Sequence, residues 1–256
     1  MAIRAVLFDV GGPIDTEVKH EALVDAYLAR ALLAVGVEAD EAAFIEASNW
    51  AVTSFAPDAY AAIIWRLCDG ETGRAREAQR LFYVDWAEER AGARMGIELR
   101  PGIDEVIGRL HQRGLLLGLA ANQPKRVVAE LDSVGLGEYF SHREVTGHHG
   151  FRKPDARLFL RACDDLGVAP EETIMIGDRV DNDIFPAKTL GMKAVLFRTG
   201  RHQHQQPRSL DEVPDAEVRT AEELSVALKQ FARRGLRARA SQQRPRDCRL
   251  PGAESR

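Results

Sequence analysis

The sequence predicts an α/β fold in which a mostly parallel sheet carries helices on both faces and a helical unit is inserted near the start. Three observations predict it. Short, continuous apolar runs recur at Ala5–Phe8, 115–121 and 173–176, as expected of strands buried on both faces of a sheet. Helical patterns separate the later runs, so successive strands connect by right-handed crossovers and lie parallel. Between the first and second runs, residues 17–93 are rich in Ala, Leu, Glu and Arg and show no strand-like alternation.

The elements follow in order. The first run ends at Asp9 and is followed by Gly11 and Gly12, which allow a sharp turn and close approach of a ligand to the backbone. Four helices are expected in the insert. Asp40 is placed to cap the second, Pro57 and Asp58 open the third, and Asp69-Gly70 is the turn before the fourth. Pro101-Gly102 marks the return to the sheet domain, with a helix over 103–113. The second apolar run ends at Asn122, and a helix from Pro124 to about Val134 follows. A weak strand is expected over 143–146, then a loop ending in Lys153-Pro154, and a helix capped by Asp155. The third run leads into Gly177-Asp178-Arg179-Val180-Asp181-Asn182-Asp183 and a short helix. Strands over 194–197 and 216–218 and a helix over 221–232 complete the domain.

The 256 residues suffice for one large domain or one domain with an insert, and 45% apolar with 29% charged residues is ordinary globular composition. A net charge of -4 gives no electrostatic case for nucleic acid as the main partner. Cys68, Cys163 and Cys248 lack metal-ligand spacing, which implies reduced thiols and a cytoplasmic protein. No apolar run is long enough for a signal peptide or a membrane span. Beyond Arg233 arginines dominate and aromatic residues are absent, a disorder signature, and 201–207 reads as a surface loop.

Ligands in open α/β sheets bind outside the carboxyl ends of the strands, and here three such ends carry polar groups: Asp9, Asn122 and the Asp178/Asp183 cluster. A separate loop supplies Lys153. Carboxylates gathered in one crevice repel each other unless a positive charge lies between them. A hard divalent cation fits, with Mg²⁺ favoured because it accepts a few carboxylates plus waters and phosphate oxygens. The chemistry best served is covalent phosphoryl transfer, in which an aspartate attacks phosphorus and the cation and Lys153 neutralise charge. Each motif alone is also a plain turn or cap; together and in this order they are stronger.

At this point the chain resembles the haloacid dehalogenase superfamily, in the branch with a helical cap inserted after the first strand. Phe8-Asp9-Val10-Gly11-Gly12, Ala121-Asn122, Lys153-Pro154-Asp155 and the 177–183 segment carry the resemblance, with the Ala-Lys-Thr-Leu-Gly-Met stretch at 187–192. It implies a Rossmann-like core over 1–15 and 96–232 with the Asp9 strand central and a helical cap over 16–95; composition adds a basic, disordered tail over 233–256. It implies Asp9 as nucleophile, Lys153 as the phosphate-binding base, and Asp9, Asp178, Asp183 and the Gly11 carbonyl as Mg²⁺ ligands. The expected substrate is a small phosphorylated metabolite, with no membrane partner and no assigned oligomeric state.

Three positions depart from the family pattern. Its phosphatases carry an acid two residues after the nucleophile, where this chain has Gly11; they carry Thr at Pro13 and a hydroxyl residue at Ala121. Loss of a positioned acid typically costs about 10²–10⁴-fold. The expectation is therefore a hydrolase of low activity or of substrates with good leaving groups, with Asn122 compensating as a phosphate contact. Gly11→Asp is expected to raise turnover of alkyl phosphates. The alternative is a non-catalytic protein that binds a phosphorylated ligand. Metal-free dehalogenase chemistry is disfavoured by the Asp178/Asp183 pair, and phosphonate cleavage by a cap whose single lysine is Lys19. Trp50, Phe55, Tyr60 and Trp65 are candidates to line the pocket, although core packing is the commoner use of such residues. His148 and His149 are read as loop residues.

Overall fold

The computed structural model describes residues 2–92 and 96–242. β1 (Ala5–Phe8) is fully buried, and the chain leaves it for four helices: α1 (Val18–Ala34), α2 (Glu41–Thr53), α3 (Ala59–Leu67) and α4 (Thr72–Gly92). Asp40 and Asp58 cap α2 and α3, their carboxylates accepting from the N–H groups of Ala43 and Ala61 at 2.8 and 3.0 Å. The four helices close around their own apolar cluster, which includes Leu28, Ile63, Ile64 and Phe82.

The chain returns through α5 (Ile103–Gln112), β2 (Leu116–Leu119), α6 (Arg126–Ser133), α7 (Thr146–His149) and α8 (Ala156–Leu166). It continues through β3 (Thr173–Gly177), α9 (Phe185–Thr189), β4 (Lys193–Phe197), β5 (Ala216–Val218) and α10 (Ala221–Gln242). The strands form one parallel sheet in the order β2-β1-β3-β4-β5. Because successive side chains of a strand point to opposite faces, Val6 and Phe8 join the cluster with Ile107, Leu131 and Leu224, while Ala5 and Leu7 join Phe159, Ile184 and Met192. That two-sided burial is why β1 reads as an unbroken apolar run. The fold is the α/β, Rossmann-like sheet with an added helical unit that the sequence predicts.

Three details differ from expectation. The middle strand is β3, with β1 interior beside it. No strand forms over 143–146: beside β2 there is only an isolated bridge between Gly118 and His142, and the chain turns at once into α7. The Thr146 hydroxyl donates to the Phe151 carbonyl at 2.7 Å, which closes this turn instead of extending a ladder. Finally, α10 continues to Gln242 rather than stopping near 232, since the Ala, Leu and Arg residues there are good helix formers. Residues 243–256 of the expected tail lie outside the described residues. Among the described residues, no helix is long and apolar enough to cross a membrane.

Two short segments tie the helical unit to the sheet, and they pair with each other. Thr16 N–H donates to Glu98 C=O at 2.9 Å and Arg100 N–H to Ile14 C=O at 2.8 Å. The Asp15 carboxylate accepts from the N–H groups of both Glu17 and Glu98 at 3.1 Å. Arg100 then reaches back to the turn after β1: its Nε donates to Gly12 C=O and its Nη2 to Thr199 Oγ1, each at 2.7 Å, over the Phe197 ring.

Candidate active site

The sheet brings the predicted residues to one place. Asp9 N–H pairs with Ile176 C=O at 2.8 Å, so the nucleophile candidate stands beside the end of β3, where Asp178 begins the next loop. A single π-helical turn over Val180–Ile184 carries Asp183 back under that loop, and its Oδ2 accepts from Arg179 N–H at 3.0 Å. Such turns recur at functional sites because they re-aim one side chain within a helix start. Two glycines make the approach possible. A Cβ on Gly177 would lie 2.3 Å from Asp183 Cγ, and one on Gly12, at φ +81°, would lie 2.8 Å from Asp178 Cβ.

One carboxylate oxygen from each of Asp9, Asp178 and Asp183 lies within 4.8 Å of the others. Lys153 points into this cluster, its side chain 1% exposed, with Nζ 2.7 Å from Asp9 Oδ2 and 2.6 Å from Asp183 Oδ1. These are ion-pair contacts without directed hydrogen-bond geometry, and Lys153 Nζ and Asp183 Oδ1 have no other partner. One lysine faces three buried carboxylates. Burial pushes Asp9 up to about 6 against the pull of Lys153, and burial together with Asp183 and Asp9 pushes Asp178 well above the usual carboxylate range. Burial also lifts Glu17, to about 8, with Asp9 and Asp15 adding to it. A surplus of negative oxygen donors with too little compensating charge is the donor set of a hard divalent cation.

Lys153 is held by Asn122. The Asn122 Oδ1 accepts from Lys153 N–H at 2.8 Å and lies 3.1 Å from Thr146 Oγ1, while its Nδ2 donates to Lys153 C=O at 3.2 Å. The residue lines the cavity, but its amide clamps the lysine loop.

Above the carboxylates lies a cavity of about 540 Å³, shared between sheet and helices. Asp9, Gly11, Asn122, Lys153 and Asp178 form its floor, and Phe55, Pro57, Tyr60 and Trp86 come from the helical unit. Of the aromatic candidates, Phe55 and Tyr60 reach it; Trp50 and Trp65 are 37% and 40% exposed elsewhere. His148 and His149 do not line it and accept local backbone bonds from Val145 and Phe151 at 3.1 Å.

Four residues escape sequence reading. Glu17 lines the cavity but follows no motif. The segment 201–207, read as a surface loop, is instead built in. Arg201, its side chain 7% exposed, bonds Asp25 Oδ1 at 2.5 Å and Ser48 Oγ at 2.8 Å, joining the loop after β4 to α1 and α2. Gln205, 1% exposed, accepts from Val180 N–H at 2.7 Å and donates to Asp181 Oδ1 at 3.1 Å, and His202 lines the cavity. Polar composition gave no warning, because the partners that bury these groups are remote in sequence.

The family model of haloacid dehalogenase-like hydrolases matches residues 3–191, a stretch that holds every one of these carboxylates and Lys153. The chain belongs to that family. A glyceraldehyde 3-phosphate phosphatase of Methanopyrus kandleri is 32% identical over 138 residues, which is 52% of this chain and 58% of that protein. A phosphoserine phosphatase of Thermus thermophilus is 32% identical over 159 residues, 62% of this chain and 59% of that one. The chain thus spans less than two thirds of the length of either relative. Among solved structures, a HAD phosphatase from Thermococcus onnurineus superposes with a TM-score of 0.54 at 25% identity, covering 88% of this chain and 98% of that one.

Proposed function

We propose that this member of the family is a Mg²⁺-dependent phosphatase of a small phosphorylated metabolite, working through a phosphorylated Asp9. The observation that carries the reading is the pairing of a buried Lys153 with Asp9 at 2.7 Å inside a cluster that holds two further carboxylates. The phosphatase names of the relatives support it. Asp9, Asp178, Asp183 and the Gly11 carbonyl would hold the cation. When bound, Mg²⁺ neutralises charge on the phosphoryl oxygens and on the carboxylates themselves.

The residues of the chain do the rest. Lys153 keeps Asp9 ionised, since its ammonium opposes the effect of burial, and it offers its remaining N–H groups to the phosphate. Asp9 attacks phosphorus and the bond to the leaving oxygen breaks; water then displaces the aspartate. Asn122 fixes the lysine loop, and we assign it substrate contact only through groups that the clamp leaves over. The four helices act as a cap that excludes water from the cavity. The buried, free thiols of Cys68 and Cys163 are consistent with a cytoplasmic setting.

The reading is tested by measuring phosphate release from acetyl phosphate, p-nitrophenyl phosphate and a panel of alkyl phosphates, with Mg²⁺ and with EDTA. Turnover that requires Mg²⁺ supports it. Ligand binding with no turnover of any compound would instead favour a binding protein. A second readout does not depend on activity. At 100 times its dissociation constant, Mg²⁺ is expected to stabilise the fold by about 2.7 kcal/mol, and Asp178→Asn should remove most of that gain in a thermal-shift titration.

A further inference from the structure

When a phosphate ester is cleaved, the departing oxygen needs a proton, and the turn after Asp9 presents Gly11, with no side chain to give one. The space over Gly11 is nevertheless filled. A Cβ built there would meet Glu17 Oε1 at 2.5 Å and Oε2 at 2.8 Å. The carboxylate of Glu17 therefore lies in the volume that a side chain at position 11 would occupy, against the same turn and in the same cavity as Asp9.

The backbone is shaped to put it there. Glu17 adopts φ 57°, ψ 10°, a left-handed conformation that is unfavourable for a non-glycine residue. Its N–H is fixed to the Asp15 carboxylate, which also holds the returning segment at Glu98. The other acidic groups of the cavity are committed elsewhere. Asp178 and Asp183 form the cation cluster with Asp9, and Asp181 accepts from Arg179 Nη2 at 2.7 Å and from Gln205 Nε2 at 3.1 Å.

We propose that Glu17 is the carboxyl group that moves the protons of this reaction, in place of a side chain on Gly11. The inference rests on the phosphatase reading. In the first step Asp9 Oδ bonds to phosphorus and the P–O bond to the alcohol breaks; the electron pair stays on the alcohol oxygen, which takes the proton of the Glu17 carboxyl group. In the second step water bonds to phosphorus and the P–O bond to Asp9 breaks. The Glu17 carboxylate takes the proton of that water, so phosphate leaves, and Asp9 and Glu17 return to their starting forms. This placement also changes the expectation for Gly11→Asp: alone, the new side chain must displace the Glu17 carboxylate, so one acid takes the place of the other and brings no gain.

The test is transient and steady-state kinetics with Mg²⁺ on the full chain, comparing p-nitrophenyl phosphate with glycerol 2-phosphate. Glu17→Gln keeps the shape and removes the proton. With p-nitrophenyl phosphate, whose leaving group needs little protonation, the variant should give a stoichiometric burst, then turnover slowed about 10²–10⁴-fold. Intact mass should show one phosphoryl group held on the protein. With glycerol 2-phosphate the burst itself should be slowed by a similar factor. Glu17→Ala should behave alike, and Gly11→Asp added to it should recover most of the roughly 10²–10⁴-fold loss of alkyl phosphate turnover. Equal losses on both substrates in every phase, or no loss on either, would overturn the role of Glu17 while leaving the phosphatase reading intact. A wild-type protein inert on both substrates would overturn the reading itself, and this inference with it.

Discussion

Asp9→Asn is expected to abolish Mg²⁺-dependent phosphate release and at the same time to make the metal-free protein more stable. The first effect follows from the nucleophile: the amide cannot form the phosphoryl intermediate, so turnover should fall to the background of the assay. The second follows from electrostatics. Asp9 titrates near 6 in the fold, against an ordinary 3.8, because burial outweighs the attraction of Lys153. A folded pKa above the unfolded one means that the native state binds more protons between pH 3.8 and about 6. Stability contributed by the protonated form is present below that window and is lost as pH rises through it. At pH 7.5 the ionised Asp9 therefore costs the fold ~3 kcal/mol, at 1.36 kcal/mol per pKa unit. Asn carries no such cost. Urea denaturation in EDTA should show Asp9→Asn more stable than wild type at pH 7.5, with the difference shrinking toward pH 4. A variant equally stable at both pH values, or less stable at pH 7.5, would show that Asp9 is not held against its own charge.

This trade between charge and stability explains why the site was legible in the sequence while its surroundings were not. Asp9 and Asp178 stand just past the ends of unbroken apolar runs, with Asp183 five residues further on, and such runs have one physical use in an α/β chain, as strands buried on both faces. Their ends must converge, because parallel strands in one sheet present their carboxyl ends on one side. Lys153 sits in a loop, but a lone lysine before Pro154 and Asp155, in order with the acidic motifs, was enough to suggest a counter-charge. Glu17 had no such context. Its position depends on a left-handed backbone conformation and on the pairing of two linkers some eighty residues apart, neither of which has a periodic signature. Arg201, His202 and Gln205 were hidden for a related reason. A polar stretch reads as solvated unless its partners are known, and theirs are Asp25, Ser48, Asp178 and Asp181. The apparent strand over 143–146 failed for want of a neighbour: at the outer edge of β2 one bridge forms, and the Thr146 hydroxyl then directs the chain into a turn.

Lys153→Met should cost both activity and stability, and Mg²⁺ should return only the second. Burial alone would drive the lysine toward its neutral form, but Asp183 and Asp9 hold it above the ordinary lysine value, so it is charged at all working pH values. It is the one cation among the described residues that contacts the carboxylate cluster. Methionine is similar in length and fills the buried path of the side chain, so the loss isolates the charge. Breaking a buried ion pair by removing one partner typically costs about 3–5 kcal/mol, because the other partner is left uncompensated. Here two carboxylates lose their partner at once. The loss in urea should be greatest near pH 7.5 in EDTA and smaller at pH 5, where Asp9 takes up a proton instead. A divalent cation replaces the missing positive charge, so saturating Mg²⁺ should stabilise Lys153→Met more than it stabilises wild type. Phosphate release should stay at least about 10²-fold down even then, since the phosphate has lost a charged donor. If Mg²⁺ stabilised both proteins equally, the cation and the lysine would not be sharing the same carboxylates, and the cluster would be a structural ion pair rather than the centre of the reaction.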